Sequence, residues 1–295
     1  MIVIGIPAYN EEKNIAKLIV QLQNKEYSIV VCNDGSTDMT GKIAEKMGVT
    51  VINHKRNLGY GAAIRSIFLK AQEIKAEILV TFDADGQHRV EDITSLIQPI
   101  KDDKADIVIG SRFLGQDESN IPKYRKTGIK IITKMANISG EKELTDSQSG
   151  LRSYNQRAIE LITPSEKGMG VSTEILIKAN NASLRIYEIP VKILYEGDTS
   201  THHPVSHGVS VIVSTMKFIS MDHPLRFYGI PGIILLTIGL FFSFWAIQGF
   251  VETRQIITNI SLIGIGTTIL GLIFLMNAIL LFSLVNLVRE GKDNQ

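Results

Sequence analysis

The sequence predicts an α/β protein: a mostly parallel sheet covered by helices, followed by a two-helix transmembrane hairpin. Three observations predict it. Short apolar runs alternate with helix-period segments over residues 1–110, the pattern of a parallel sheet with crossover helices. The apolar runs end in polar and charged residues, and ligands of such sheets sit beyond the carboxyl ends of the strands. Near the C-terminus, Phe227–Val251 and Gln255–Val288 contain no charged residue, and each exceeds the roughly 20 apolar residues that span a bilayer.

The elements follow in order. "IVIGIP" is a buried strand, and "NEEKNIAKLIVQLQN" places Ile15, Leu18, Ile19 and Leu22 on one helix face. "YSIVVCND" is the second strand. "STDMTGKIAEKMG" opens with Ser36, Thr37 and Asp38 as N-cap candidates and closes at Gly48. "VTVINH" is a strand, "GYGAAIRSIFLKAQEIK" a helix, "AEILVTFDAD" a strand through both aspartates, "VEDITSLIQPIK" a helix and "ADIVIGSR" a strand. The expected divisions are residues 1–200 as the α/β domain, 201–226 as a juxtamembrane helical linker and 227–290 as the hairpin, with spans near 228–250 and 260–286.

A pair of buried core helices is the alternative to the hairpin, but soluble core helices rarely stay uncharged for so long. Only "ETR" separates the two runs. Lys217 and Arg226 precede the first, and Arg289 and Lys292 follow the second. Basic residues on both outer flanks place them, and the N-terminal domain, in the cytoplasm. The protein is then a multi-pass protein of the cell membrane. "MIVIGIPAYN" has no basic n-region and too short an apolar run for a secretory signal. A net charge of +1 gives no case for nucleic-acid binding. The single cysteine, Cys32, excludes an internal disulfide framework and a cysteine-rich zinc site.

Strand four runs into "DADGQH", with Asp83 and Asp85 one residue apart. In an extended segment the two project to the same side, and adjacent carboxylates repel unless something neutralises them. A helix N-cap and turn explain one aspartate but not both. A hard divalent cation, Mg²⁺ or Mn²⁺, explains both, with positions left open for substrate phosphates.

"IPAYNEE", "VCNDGSTD", "NLGYGAAI", "TFDADGQH" and "DSQSGLRSY" occur in that order. Together they resemble the inverting family 2 glycosyltransferases of GT-A (Rossmann-like) fold. With the hairpin, the chain resembles the polyprenyl-phosphate glycosyltransferases, the dolichol-phosphate-mannose-synthase-like group. The resemblance implies a nucleotide-sugar donor, a polyprenyl (dolichyl) phosphate acceptor in membrane lipid and a divalent metal. It implies that Pro7, Ala8, Tyr9, Asn10 and Glu11 line the base and ribose, that Asp34 contacts base or ribose, and that Asp83, with Ala84, faces ribose or sugar. Asp85 becomes a metal ligand assisted by Gln87; His88 stays open between a structural and a site role. Gly59 and Gly61 let backbone approach the donor at a helix start, where amides favour anions.

The resemblance also assigns phosphate contacts to Arg112 and Arg125, with Lys123 and Lys126 able to exchange roles with Arg125. Asp146 stands where many relatives carry the catalytic base, or it orients sugar hydroxyls, because an acceptor phosphate is already anionic. Ser149, Gly150 and Arg152 shape the acceptor side. His202, His203 and His207 match no standard metal spacing and read as interfacial or substrate-loop residues. "VSVIVSTMKFI" is either an interfacial helix or one packed on the catalytic domain. Small residues in "GIGTTILG" offer a face for helix packing and a homo-oligomer. Two other functions compete: a nucleotide-sugar-binding membrane subunit without catalysis, and a polysaccharide synthase. The synthases' Gln-x-x-Arg-Trp signature is absent, the sole tryptophan being Trp245 within a span.

Overall fold

The apolar runs of the first half become β1 (Ile2–Ala8), β2 (Ser28–Asn33), β3 (Thr50–Asn53), β4 (Ile78–Thr81) and β5 (Ile107–Ser111). Between them lie α1 (Ile15–Gln23), α2 (Thr40–Lys46), α3 (Tyr60–Glu73) and α4 (Asp92–Lys101). The chain continues through α5 (Lys123–Asn137), β6 (Arg152–Asn155), α6 (Gln156–Leu161), α7 (Val171–Asn181) and β7 (Ile186–Pro190). The computed structural model describes residues 1–25, 27–115, 123–137, 143–192, 213–214, 216–217 and 219–293. It divides into two compact units, Met1–Thr215 and Met216–Gln295.

In the first unit the strands form one sheet in the order β3-β2-β1-β4-β6-β5-β7. β1 pairs in parallel with β2 and β4, β2 with β3, and β5 with β7. Successive strand residues face opposite sides of the sheet, and both sides are covered. Ile4, Val31 and Val80 lie in one core with α1 and α4; Val3, Val30 and Leu79 lie in the other with α3 and α7. Burial on both faces is why these strands read as continuous apolar runs rather than alternating ones.

β6 is the exception, antiparallel to both β4 and β5. An antiparallel strand begins where its neighbours end. The segment before β6, residues 145–150, therefore reaches the carboxyl edge of the sheet, beside the ends of β4 and β5.

Two expected details are corrected. β4 stops at Thr81 instead of running through Asp85: Thr81 is the last residue paired with β1, and on its other side it pairs with Arg152, where β6 begins. Residues 84–85 form a turn, and Gly86 has φ 73°. α2 begins at Thr40, and Met39 occupies its cap position. Asp38 instead braces the preceding turn, accepting from the Thr40 amide at 2.9 Å.

The second unit is built from a π-helical turn (Leu225–Gly229), α8 (Ile230–Thr253) and α9 (Thr258–Asp293). Leu225–Thr253 and Thr258–Leu287 are long and apolar enough to cross a membrane, with mean hydropathies of 2.2 and 2.5. Arg254 reverses the chain in the left-handed region at φ 56°. The helices meet through glycines spaced by heptads. Gly232 abuts Leu275 and Gly239 abuts Thr268; from α9, Gly264 abuts Ser243 and Gly271 abuts Leu236. Small residues at these positions let the two backbones approach closely. Gly264 and Gly271 of "GIGTTILG" thus serve the hairpin itself, whereas Gly266 has open space beside it. His202, His203, His207 and most of "VSVIVSTMKFI" lie outside the described residues.

Candidate active site

The turn after β4 carries the most demanding electrostatics of the edge. Asp83 accepts a hydrogen bond from the Tyr60 hydroxyl at 3.0 Å, and His88 Nε2 lies 3.7 Å from its other oxygen. Burial pushes the Asp83 carboxyl up, but His88, the Tyr60 hydroxyl and the Arg112 charge outweigh it and hold it below the ordinary range. Asp85 has less help. It accepts from the Gln87 amide at 3.0 Å. Burial first, and the charges of Asp83 and Glu11 after it, push its carboxyl up to about 6. Such a cluster attracts a cation, and the charge at Asp85 is poorly compensated by the protein alone.

Among the described residues no group of three or more His, Cys, Asp or Glu side chains is placed to hold a metal. A carboxylate turn of this kind suits Mg²⁺ or Mn²⁺, which take one or two carboxylates and leave the remaining positions to water and ligand phosphates.

The loops after β1 and β2 brace each other. Asn10, at φ 56°, donates its amide to Ser36 Oγ at 3.0 Å and accepts from the Thr37 amide at 2.9 Å. The Glu11 amide donates to Thr40 Oγ1 at 2.7 Å. Burial raises the Glu11 carboxyl, with Asp38 and Asp83 adding to the rise and Asn14 opposing it. Pro7 and Ala8 belong to β1. Ala8 and Ala84 are core members, so only their backbone is available to a ligand. Tyr9 is exposed.

Asp34 is buried and does structural work. It accepts from His54 Nδ1 at 2.6 Å, from the Leu58 amide at 2.9 Å and from the Gly59 amide at 2.9 Å. Ser66 Oγ closes the far side of the His54 ring at 2.8 Å. Gly35, at φ 69°, leaves no room for a side chain against the Arg56–Asn57 backbone. The ends of β2 and β3 are thereby tied to the start of α3. Asp34→Ala strands two amides and the His54 ring, so a loss of at least about 2 kcal/mol is expected, read as a lowered thermal midpoint.

The glycines at the start of α3 serve a different purpose from the expected one. The Gly61 amide donates to Lys167 O at 2.8 Å, and a side chain at Gly61 would strike Glu166 O. The close approach is to the protein's own 166–168 segment. Glu174 holds that segment, accepting from the Ser165 and Glu166 amides and pairing with Lys178 at 2.8 Å.

Opposite the aspartates, Arg112 forms a two-point pair with Asp146: Nε to Oδ2 at 2.6 Å and Nη2 to Oδ1 at 2.7 Å. Asp146 is fully buried. Burial raises its carboxyl, and the Arg112 charge and hydrogen bonds, with the Arg112 and Gln148 amides, more than reverse this. Glu188 of β7 sets the segment, accepting from the Thr145 amide at 2.8 Å and the Asp146 amide at 2.9 Å. Arg152 is spent internally, donating to the carbonyls of Ser149, Ser172 and Ser147 at 2.8, 3.0 and 2.7 Å. Ser149 is buried; its hydroxyl, unpartnered among the described residues, lines a small cavity with Tyr60, Thr81 and Ser172. Arg125 lies on α5, but its side chain, like that of Lys123, is outside the described residues.

Gly150 joins the two halves. A side chain there would strike Asp83 Oδ2 and come within 2.8 Å of the Tyr60 hydroxyl. Gly150→Ala is expected to displace Asp83, at about 1–3 kcal/mol of overpacking. Thermal unfolding and sugar-transfer rate, measured together, check this; an unchanged rate would contradict it.

Sequence reasoning missed Tyr60, Glu174 and Glu188 as site supports. The only mark the two glutamates leave is a lone acid in an apolar stretch: "STEILI" around Glu174 and "IYEIPV" around Glu188.

Comparison with known proteins places the chain in a family. The chain is 36% identical over 239 residues to the UDP-N-acetylglucosamine–dolichyl-phosphate N-acetylglucosaminyltransferase of Methanococcus voltae, covering 74% of this chain and 93% of that protein. It is 32% identical over 200 residues to the dolichol-phosphate mannosyltransferase of Pyrococcus furiosus, covering 63% and 54%. The fold is shared with glucosyl-3-phosphoglycerate synthase of Mycobacterium tuberculosis, solved with Mn²⁺, uridine diphosphate and phosphoglyceric acid, at TM-score 0.56 and 18% identity over 74% of this chain and 78% of that one. The glycosyl transferase family 2 profile matches residues 3–162, from β1 to the end of α6. This stretch includes both aspartates, Arg112, Asp146 and the antiparallel strand that carries residues 145–150 to the sheet edge, and the chain belongs to glycosyl transferase family 2.

Proposed function

We propose that the protein moves a single hexose from a nucleotide sugar to a polyprenyl (dolichyl) phosphate at a membrane, with inversion. The observation that carries this reading is the pairing of an underneutralised Asp83–Asp85 turn with the Arg112–Asp146 pair on one sheet edge, in a chain that also has two membrane-length apolar helices. Dolichyl-phosphate sugar transferases among its relatives support the acceptor.

In this reading Asp85, with Gln87, holds Mg²⁺ or Mn²⁺, and Asp83 faces the ribose or sugar. The metal supplies charge to stabilise the departing nucleoside diphosphate. The protein does the remainder. The 9–11 and 34 loops receive base and ribose; Tyr60 and His88 fix the Asp83 carboxylate; Arg112, oriented by Asp146, offers its guanidinium to phosphate. Arg125 and Ser149 complete the acceptor side. The acceptor phosphate is anionic near neutral pH, so its oxygen attacks the anomeric carbon without surrendering a proton to a base. The bond to the diphosphate breaks on the opposite face, which inverts the configuration. The hairpin anchors the chain as a multi-pass membrane protein with the catalytic domain in the cytoplasm.

The test offers GDP-mannose, UDP-glucose and UDP-N-acetylglucosamine, each labelled in the sugar, with a polyprenyl phosphate and Mg²⁺ or Mn²⁺. Label from one donor should enter the organic phase, and UDP-N-acetylglucosamine is the first to try, given the 36% identity to an enzyme named for it. No extractable label from any donor, with nucleotide binding retained, would favour a non-catalytic binding subunit.

A further inference from the structure

Three threonines in the membrane-length helices satisfy their hydroxyls within the helix. Thr237, Thr267 and Thr268 each donate to a carbonyl of their own helix, at 2.8, 2.6 and 2.7 Å. Asn277 does not: it is exposed on α9, with no hydrogen-bond partner among the described residues. The apolar stretch runs from Thr258 to Leu287. At a rise of 1.5 Å per residue Asn277 lies about 7 Å from its middle, inside the hydrocarbon half-thickness of about 15 Å. A carboxamide there has two donors and an acceptor with no water to take them.

Its neighbours on the helix are as informative. One face of α9, carrying Gly264, Thr268, Gly271 and Leu275, is taken by α8. Asn277 lies on the opposite face. There Ile263, Leu270, Asn277 and Leu284 recur every seven residues, with Ile273 and Leu280 between them. This is a heptad seam with one asparagine at an a position, the device that fixes register and two-stranded pairing in coiled coils. Gly266 lies on the same seam with open space beside it.

Resting on the membrane reading above, we propose that this seam is a self-association surface. α9 pairs in parallel with α9 of a second copy, and each Asn277 hydrogen-bonds to the other. A second copy is the occupant because the carboxamide is its own complement, donor and acceptor together. A chain inserted with the same topology presents it at the same depth, related by a two-fold axis along the membrane normal.

The full-length chain, reconstituted alone in lipid vesicles, tests this. Retention through alkaline washing establishes insertion. Leu280→Cys and Ile279→Cys are then oxidised in parallel; both sites are 61% exposed, but only 280 lies on the seam. The expected result is a covalent dimer from Leu280→Cys and little from Ile279→Cys. Adding Asn277→Leu should weaken pairing on the order of tenfold in the dimer dissociation constant. A retained chain that stays monomeric, cross-links equally at both sites, or ignores Asn277→Leu overturns the pairing and leaves the membrane reading intact. A chain lost in the wash overturns both.

Discussion

Asp85→Ala is expected to lower sugar transfer by about 10²–10³-fold, the cost of removing a principal electrostatic stabiliser from an active site. The fold should not suffer. Asp85 is half-buried, repelled by Asp83 and Glu11, and compensated mainly by one backbone amide. Removing it relieves repulsion, so the thermal midpoint should hold or rise while activity disappears. Asp83→Ala differs, because Asp83 also receives Tyr60 and sits against Gly150, and should lower both. Organic-phase label and thermal unfolding on the same preparations separate the two. A variant at position 85 that keeps wild-type transfer would remove the metal reading of the turn.

Asp146→Asn should be the most destabilising single change in the catalytic unit. It leaves the Arg112 guanidinium beside a neutral amide in a buried place, and breaking one side of such a pair costs about 3–5 kcal/mol. The pH dependence gives its signature. The Asp146 carboxyl is held below its unfolded value by Arg112. Its contribution is therefore fully present above the unfolded value of about 3.9 and is lost as pH falls through the lower, folded value. Wild type and variant should differ most at neutral pH and converge below about pH 4. The same pair of proteins separates the two roles open to this residue. A base would lose activity with stability kept; an orienting partner of Arg112 loses both, and Arg112→Lys follows it because lysine cannot reproduce the two-point contact.

Much of the candidate site was legible because its chemistry announces itself in charge. Paired aspartates after an apolar strand repel one another, which folding alone does not favour at both positions, and the strand-end residues had to lie on one edge once the alternation of β1 to β5 was read. The two long apolar helices were legible for a similar reason: runs of that length without a charge stand out by composition alone. What misled was local pattern without its partners. "GYGAAI" looks like an anion cradle, yet its amides meet Lys167 O. The small residues of "GIGTTILG" do pack helices, as expected: Gly264 and Gly271 receive α8.

The sequence by itself determined the fold class, the order of the first strands, the edge that carries the candidate site and the two long apolar helices, because each is written in periodicity, composition or charge along a continuous stretch. Only the tertiary structure decided that β6 enters antiparallel and brings residues 145–150 to that edge. It also decided that Asp146 is committed to Arg112, and that Arg152, Asp34 and Glu188 hold backbone within the protein. Those outcomes depend on which distant segments meet. A carboxylate or guanidinium in a sequence states its charge but not its counter-charge, and the counter-charge decides whether it binds a ligand or the chain itself.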